Sequence, residues 1–384
     1  MTVLRSLLLL PVLTCMPVVF AAAEDTTLID KRLHLGTPGF YEWDSFKDRA
    51  VDATRLESRF DARANTVEHT LRIWQSDVKQ RWPVLINGRK LGALTTDEKA
   101  QECVLAIPPG TLRDGENELL IDAPATPDDI EIGPVILTAK PVAEAIAGAR
   151  LRVSVHEAGT GAALPCRITL TRPDGTLQPL RAEPAAEVAV RTGVVYAKNG
   201  VVEITAPPGE YVAHAGRGFE WSVARKTVTL RAGEPVDLRL ELTREVDTRG
   251  WIAADSHIHT LTHSGHGDAS MEERMLTIAG EGIELAVATD HNHHTDYSQA
   301  AASMGVDRHF TPIIGNEVTT KQGHFNAFPI DPGAKTPDHN EQDWSKLLPA
   351  IRATPGVRVI TLNHPRDLHS GFVPLGGIQF NPQT

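Results

Sequence analysis

The period of the hydrophobic pattern changes at Trp251, and that change constrains the fold more than any other feature of the chain. Before it, apolar and polar residues alternate in short runs: Thr70-Leu71-Arg72-Ile73-Trp74, Val84-Leu85-Ile86, Leu151–Val155, Arg167–Thr171, Tyr211–Ala215 and Val236–Leu242. Side chains alternate across a strand, so these runs predict half-buried β-strands. Turn signals separate them at Asn87-Gly88, Asp114-Gly115, Pro173-Asp174-Gly175 and Pro207-Pro208-Gly209. After Trp251, apolar strands alternate with helical stretches, which predicts parallel β/α units. Strands are expected at Ile252–Ala254, Leu285–Thr289, Pro312–Gly315, Phe325–Phe328 and Val357–Leu362. Ser270 and Glu273 have capping-box spacing and open a helix that Gly280 or Gly282 ends. Further helices are expected near Thr295–Met304, stopped by Gly305, and over Asp343–Ala353, before Gly356.

These patterns divide the chain into a signal peptide (1–23), two all-β modules (24–145 and 146–249) and an α/β unit (250–384). Arg5, the apolar run Leu7–Phe20 and Ala21-Ala22-Ala23 form the signal, with cleavage expected after Ala23. The run is short and interrupted by Pro11 and Pro17, so no integral membrane span is expected, and the mature chain is read as periplasmic or secreted. A formal net charge of −11 disfavours nucleic acid as a partner, because phosphate binding needs a basic face. The mature chain keeps two cysteines, Cys103 and Cys166, in different modules; that is no disulfide scaffold, and their pairing is left open.

Polar residues gather where the strands of the last unit end. D-S-H-I-H-T follows the first strand, D-H-N-H-H the second, G-N-E-V and G-H-F-N the third, and N-H-P-R the last. Sites in α/β folds are built at that edge. His257 and His259 are two apart, so on extended backbone both imidazoles point the same way. Glu317 can bridge two ions, with His291, His324 and His364 coming in from neighbouring strands. A single histidine is more often a surface or core residue than a ligand; the conjunction at four strand ends carries the reading. Imidazole and carboxylate together suit Zn²⁺, Mn²⁺ or Fe.

H-I-H, T-D-H, the Glu of G-N-E, the His of G-H-F-N and N-H-P resemble the motifs of the PHP (polymerase and histidinol phosphatase) metallohydrolases. With β modules ahead of the metal unit, the arrangement looks most like the carbaryl-hydrolase-like exported branch. The resemblance implies a distorted (β/α)₇ barrel with two or three divalent metal ions. His257, His259 and Glu317 would hold the first, Glu317, His324 and His364 the second, and Asp268 with His291 would belong to a third. His263 and His266 lie close to Asp268 and could take its place. Asp290 is expected to orient a ligand from behind or to cap a loop, and Arg366 to hold a substrate anion. His293, His294 and His339 read as solvated loop residues. The family's closing Asp-x-His does not follow Leu362, and residues 250–384 are fewer than the roughly 200 of such a barrel. The barrel is therefore expected to be truncated at its C-terminus, and the fragment to be short of ligands and of activity.

The N-terminal modules resemble other families. W-P-V-L-I-N-G-R-K-L-G and I-P-P-G-T-L-R-D-G-E-N-E-L-L-I look like the galactose-binding-like β-sandwich, which implies either carbohydrate contact or a spacer. A-P-P-G-E-Y-V-A-H-A looks like the carboxypeptidase-regulatory sandwich, read as a spacer. The function expected from the whole is metal-dependent hydrolysis of a small-molecule ester, either a phosphoester or a carbamate or carboxylic ester. Metal-bound hydroxide would be the nucleophile. The amidohydrolase superfamily, which also begins with H-x-H, ranks behind, because Glu317 takes the bridging place. The alternative from another class is an exported carbohydrate- or surface-binding protein with a vestigial metal site.

Overall fold

The computed structural model describes residues 25–39, 41, 46–125 and 128–364. The expected signal peptide and Arg366 lie outside the described residues.

The first unit is two antiparallel sheets. One runs Thr26–Ile29, Ile130–Thr138, His69–Ser76, Gln101–Ile107, with Leu33–Leu35 also paired to Ile130–Thr138. The other runs Leu56–Ala62, Gly115–Ile121, Pro83–Ile86, Arg89–Ala93. Leu71 and Ile73 of one sheet and Val84, Ile86 and Ile121 of the other are fully buried in a single core, so the sheets lie face to face. Asn87-Gly88 joins Pro83–Ile86 to Arg89–Ala93, with φ of 51° and 76°. Both angles are left-handed, as a type I′ hairpin turn requires, and asparagine and glycine tolerate them best.

The second unit repeats the plan. Its sheets run Arg181–Glu183, Val201–Ala206, Ala149–Glu157, Val236–Leu242 and Val188–Arg191, Val194–Ala197, Cys166–Thr171, Gly209–Gly216, Ala224–Leu230. They close on a core that includes Leu151, Val153, Ile168, Tyr211 and Leu240. Cys103 and Cys166 are both buried and free, each in its own core, so they form no disulfide.

The third unit begins with three parallel strands in the order β1 (Ala254–Ile258), β2 (Leu285–Ala288), β3 (Thr311–Ile314). Helix α1 (Met271–Gly280) connects the first two and α2 (Ser298–Met304) the next two. The Ser270 hydroxyl accepts from the Glu273 N–H, and the Glu273 carboxylate accepts from the Ser270 N–H, so both halves of the capping box are made. One face of α1 covers the sheet. The other meets the second unit: Ala189 shares a core with Met275 and Ile278, and Tyr196 packs against it. A Cβ on Gly280 would come within 2.7 Å of the Tyr196 ring, so that position has room only for glycine. Polar contacts line the same seam. Arg191 reaches both oxygens of Glu273, the Tyr196 hydroxyl donates to Glu281 at 2.6 Å, and Arg217 donates to the Ala279 carbonyl at 2.6 Å.

The β/α rhythm then stops. β4 (Asn316–Thr320), β5 (Gly323–Phe328) and β6 (Val359–Leu362) form a separate antiparallel sheet in that order. Helix α3 (Trp344–Arg352), capped by Asp343, packs on it through Leu347 and Ile351 against Val318, Phe325 and Ala327. The expected (β/α)₇ barrel is therefore corrected: among the described residues there is no closed barrel, and small β-sheets dominate. The physical reason lies at Lys321-Gln322. Two residues can join antiparallel strands, whereas a parallel return needs a crossover of roughly a dozen or more. No helix among the described residues is long and apolar enough to cross a membrane.

Candidate metal centre

The site forms where the two sheets of the third unit meet. Ile258 is buried in the core, so its neighbours His257 and His259 project from the other face of β1. After β2 the chain passes through Asp290 and His291 and runs beside the start of β4, where the Glu317 N–H donates to the Asp290 carbonyl at 3.2 Å and the Asn292 N–H to the Glu317 carbonyl at 2.9 Å. That pairing carries Glu317 to the centre. His324 on β5 stands across from Thr319, and His364 follows β6.

Glu317 is fully buried, and both carboxylate oxygens are surrounded. Oε2 faces His259 Nε2 at 3.1 Å, His291 Nδ1 at 3.1 Å and His257 Nε2 at 3.5 Å. Oε1 faces Asn363 Nδ2 at 2.8 Å, His324 Nδ1 at 3.2 Å and His364 Nε2 at 3.3 Å. Despite three close nitrogens, Oε2 makes no contact with hydrogen-bond geometry. A buried carboxylate oxygen left this way costs roughly 1–3 kcal/mol or more unless something else satisfies it. Three groups of donor atoms close enough to share an ion result: His257, Glu317 and His364; His291, Glu317 and His324; and His259, His266 and His291. Imidazole nitrogens converging with a bare carboxylate oxygen fit a first-row divalent cation such as Zn²⁺, Mn²⁺ or Fe²⁺.

The electrostatics agree. Burial would push the Glu317 carboxyl up, but the close nitrogens of His257 and His259 at Oε2 and of His324 and Asn363 at Oε1 outweigh it and hold the group far below the usual carboxylate range. Burial lowers the His291 imidazole to about 4, with His259, His266 and His324 adding to the shift and Glu317 opposing it. His266 is lowered in the same way, by burial first. His257 is raised by its contact with Glu317. A neutral imidazole at His291 has no proton to lose before it can act as a ligand.

Six expected ligands thus come together: His257, His259, His291, Glu317, His324 and His364. Asp268 does not join them. It is exposed and paired with Arg191 Nε at 3.0 Å and Arg274 Nη2 at 3.5 Å. Its expected place beside His291 is taken by His266, whose Nε2 lies 2.5 Å from His291 Nε2. Asp290 is fully buried behind the cluster and touches no ligand ring. Its Oδ1 accepts from the Thr260 N–H at 2.7 Å, the Thr260 hydroxyl at 2.9 Å and the Ser264 hydroxyl at 2.7 Å. His293 stacks on His263 with ring centres 4.2 Å apart, His294 bonds the Ala334 carbonyl, and His339 is exposed. Asn363 is a member that motif reading did not assign. Its amide donates to Glu317 and to Asn326 Oδ1, and Asn326 donates to the Ser256 carbonyl on β1. The only signal for it was its place in N-H-P.

No family model matches the chain, and no curated protein sequence matches it. Several solved structures show slight likeness, three of which illustrate it. The TIE protein of Bacillus anthracis is 12% identical over 50% of this chain and 37% of its own, with a TM-score of 0.19. The group B streptococcus pilus 2b backbone protein is 12% identical over 50% of this chain and 93% of its own, with a TM-score of 0.19. A β-glucuronidase from Ruminococcus gnavus is 10% identical over 78% of this chain and 60% of its own, with a TM-score of 0.22. This chain spans less than two thirds of the TIE protein and of the glucuronidase. Scores this low carry no conclusion on fold or activity.

Proposed function

We propose that this protein is a metal-dependent hydrolase that cleaves a small-molecule ester. The observation that carries the reading is Glu317: one buried carboxylate offers each of its oxygens to a separate set of imidazoles. On this reading Glu317 shares one ion position with His257 and His364 and a second with His291 and His324. His291 and His266 complete a third position with His259. Adjacent divalent ions would supply an activated water and polarise the carbonyl or phosphoryl oxygen. The chain's own part is to favour the neutral form of His291 and His266 by burial, fix the spacing of the imidazoles through the buried Glu317–Asn363–Asn326 chain, and present the exposed edge of His257 and His266 to solvent. The motif set H-I-H, T-D-H, G-N-E, G-H-F-N and N-H-P supports placing the site with the PHP metallohydrolases. The N-terminal stretch from Arg5 to Ala23 supports export to the periplasm or beyond.

The test is elemental analysis of the purified protein beside Glu317→Ala, with hydrolysis measured on p-nitrophenyl phosphate, p-nitrophenyl acetate and an aryl N-methylcarbamate. Two or more transition-metal ions per chain, lost in the variant, together with turnover abolished by chelator and by His257→Ala, is the expected result. Absence of bound metal at saturating Zn²⁺ and Mn²⁺ would overturn the reading. Glycan binding with neither metal nor turnover would favour the carbohydrate-binding alternative.

A further inference from the structure

The hydroxyl of Ser264 has one proton and three polar neighbours. They are Asp290 Oδ1 at 2.7 Å, His259 Nδ1 at 3.1 Å and the His291 backbone N–H at 3.3 Å. Asp290 Oδ1 also receives the N–H and the hydroxyl of Thr260. Two donors already aimed at it leave no place for a proton on that oxygen, so Ser264 must donate to it. The backbone N–H of His291 can only donate, and takes one Ser264 lone pair. The other lone pair faces His259 Nδ1, and only a protonated Nδ1 fits there. A neutral His259 is then bare at Nε2, the atom 3.1 Å from Glu317 Oε2.

We propose that Ser264 and Asp290 form a relay that fixes His259 as its Nδ1–H tautomer and so aims the Nε2 lone pair at the metal position. Both are positioning residues. Metal-bound histidines are commonly held by a carboxylate on the second ring nitrogen, which sets the tautomer. Here a hydroxyl stands between, and the carboxylate acts by claiming the hydroxyl's proton. Local sequence delivers Ser264 to this place. Thr260 caps the single helical turn Leu261–Ser264, and Gly265, with φ of 71°, ends that turn immediately after the serine. Asp290 therefore anchors both ends of the turn, through Thr260 and through Ser264.

The use of the tautomer rests on the metal-centre reading, but the tautomer does not. Long-range proton–nitrogen NMR of the metal-free full chain, with His259 assigned by loss of its signal in His259→Gln, is expected to show Nδ1–H. Nε2–H as the major form would overturn the proposal whatever the metal content, and this readout does not depend on the folding of any Ser264 variant. Zn²⁺ titration of Ser264→Ala is expected to show affinity roughly 10–100-fold weaker than wild type, with Ser264→Thr recovering most of it. Unchanged affinity in Ser264→Ala would overturn the relay and leave the metal centre in place. A wild-type chain that binds no Zn²⁺ yet shows Nδ1–H would overturn the metal centre and support the relay.

Discussion

Substituting Glu317 by glutamine changes one oxygen to an NH₂ group and almost nothing in volume, and the surroundings dictate which way the new amide turns. Asn363 Nδ2 donates to Oε1 at 2.8 Å and is itself fixed by Asn326. An amide nitrogen opposite it would set donor against donor, so in Glu317→Gln the amide oxygen must take the Oε1 place and the amide nitrogen the Oε2 place. The nitrogen then faces His257, His259 and His291, whose ring nitrogens lie 3.1–3.5 Å from that position and can accept from it. The ion position on that side loses its oxygen ligand outright. The position beside His324 and His364 keeps a ligand but loses its charge. A contact to a charged group contributes about 1.5–3 kcal/mol net, which is about 10–100-fold in affinity at about 1.4 kcal/mol per tenfold. Glu317→Gln should therefore bind at least one ion fewer than wild type, and the ion that remains should bind about 10–100-fold more weakly. Competition with a chromophoric chelator measures both quantities, and circular dichroism checks that the fold is retained. Wild-type stoichiometry and affinity in a folded Glu317→Gln protein would refute the bridging role.

Two further outcomes follow from the contacts. Asp268→Ala should leave metal content unchanged and cost no more than about 1 kcal/mol in stability, since its ion pairs are solvent-exposed, whereas His266→Ala should lower metal content; elemental analysis of the pair decides, and the reverse result would restore Asp268 as a ligand. The metal-free protein should lose stability as pH falls from about 6.5 to about 4, because His291 binds its proton more weakly folded than unfolded. The shift corresponds to on the order of 3 kcal/mol, present in full above about 6.5. His257, shifted the other way, acts only at higher pH, where its contribution is lost as pH rises through its folded value. Urea unfolding at several pH values should show the slope between about pH 4 and pH 6.5, and His291→Asn should make it shallower, leaving the part due to His309, which burial also lowers to about 4; an unchanged slope would refute the assignment.

What could be read from the sequence was local. The Asn87-Gly88 turn and the Ser270/Glu273 capping box depend on residues within a few positions of one another, and each formed. His257 and His259 converge because strand geometry alone puts alternate side chains on one face. Glu317 lies between imidazoles on both of its oxygens, a place its chemistry suits. The sequence left His263 and His266 open as substitutes for Asp268 but could not choose among the three, because the partner that draws Asp268 away, Arg191, lies in another unit 77 residues earlier. The barrel expectation fails on a local signal. The apolar runs at Pro312–Gly315 and Phe325–Phe328 fit a continuing β/α rhythm, but the short gap between β4 and β5 allows only an antiparallel return. Asn363 could not have been identified, since its role depends on Asn326 and Ser256 meeting it across two sheets.

The seam along α1 bears on how such a chain can be assembled and reassembled over evolutionary time. Multidomain proteins often behave as beads that recombination can swap. Here the bead bearing the histidines lacks one side of its own interior: Ala189 and Tyr196 supply it, and Gly280 keeps no side chain so that they can. Moved behind a different leader, residues 250–364 would expose the outward face of α1, with Arg191 no longer present to hold Glu273 and Asp268. The heritable unit is thus larger than the change of period at Trp251 implies. It spans both the second β unit and the histidine-bearing one; the first unit keeps a separate core and meets the second through hydrogen bonds, Trp74 Nε1 donating to Thr176 Oγ1 at 2.9 Å and the Glu102 N–H to the Leu177 carbonyl at 3.0 Å.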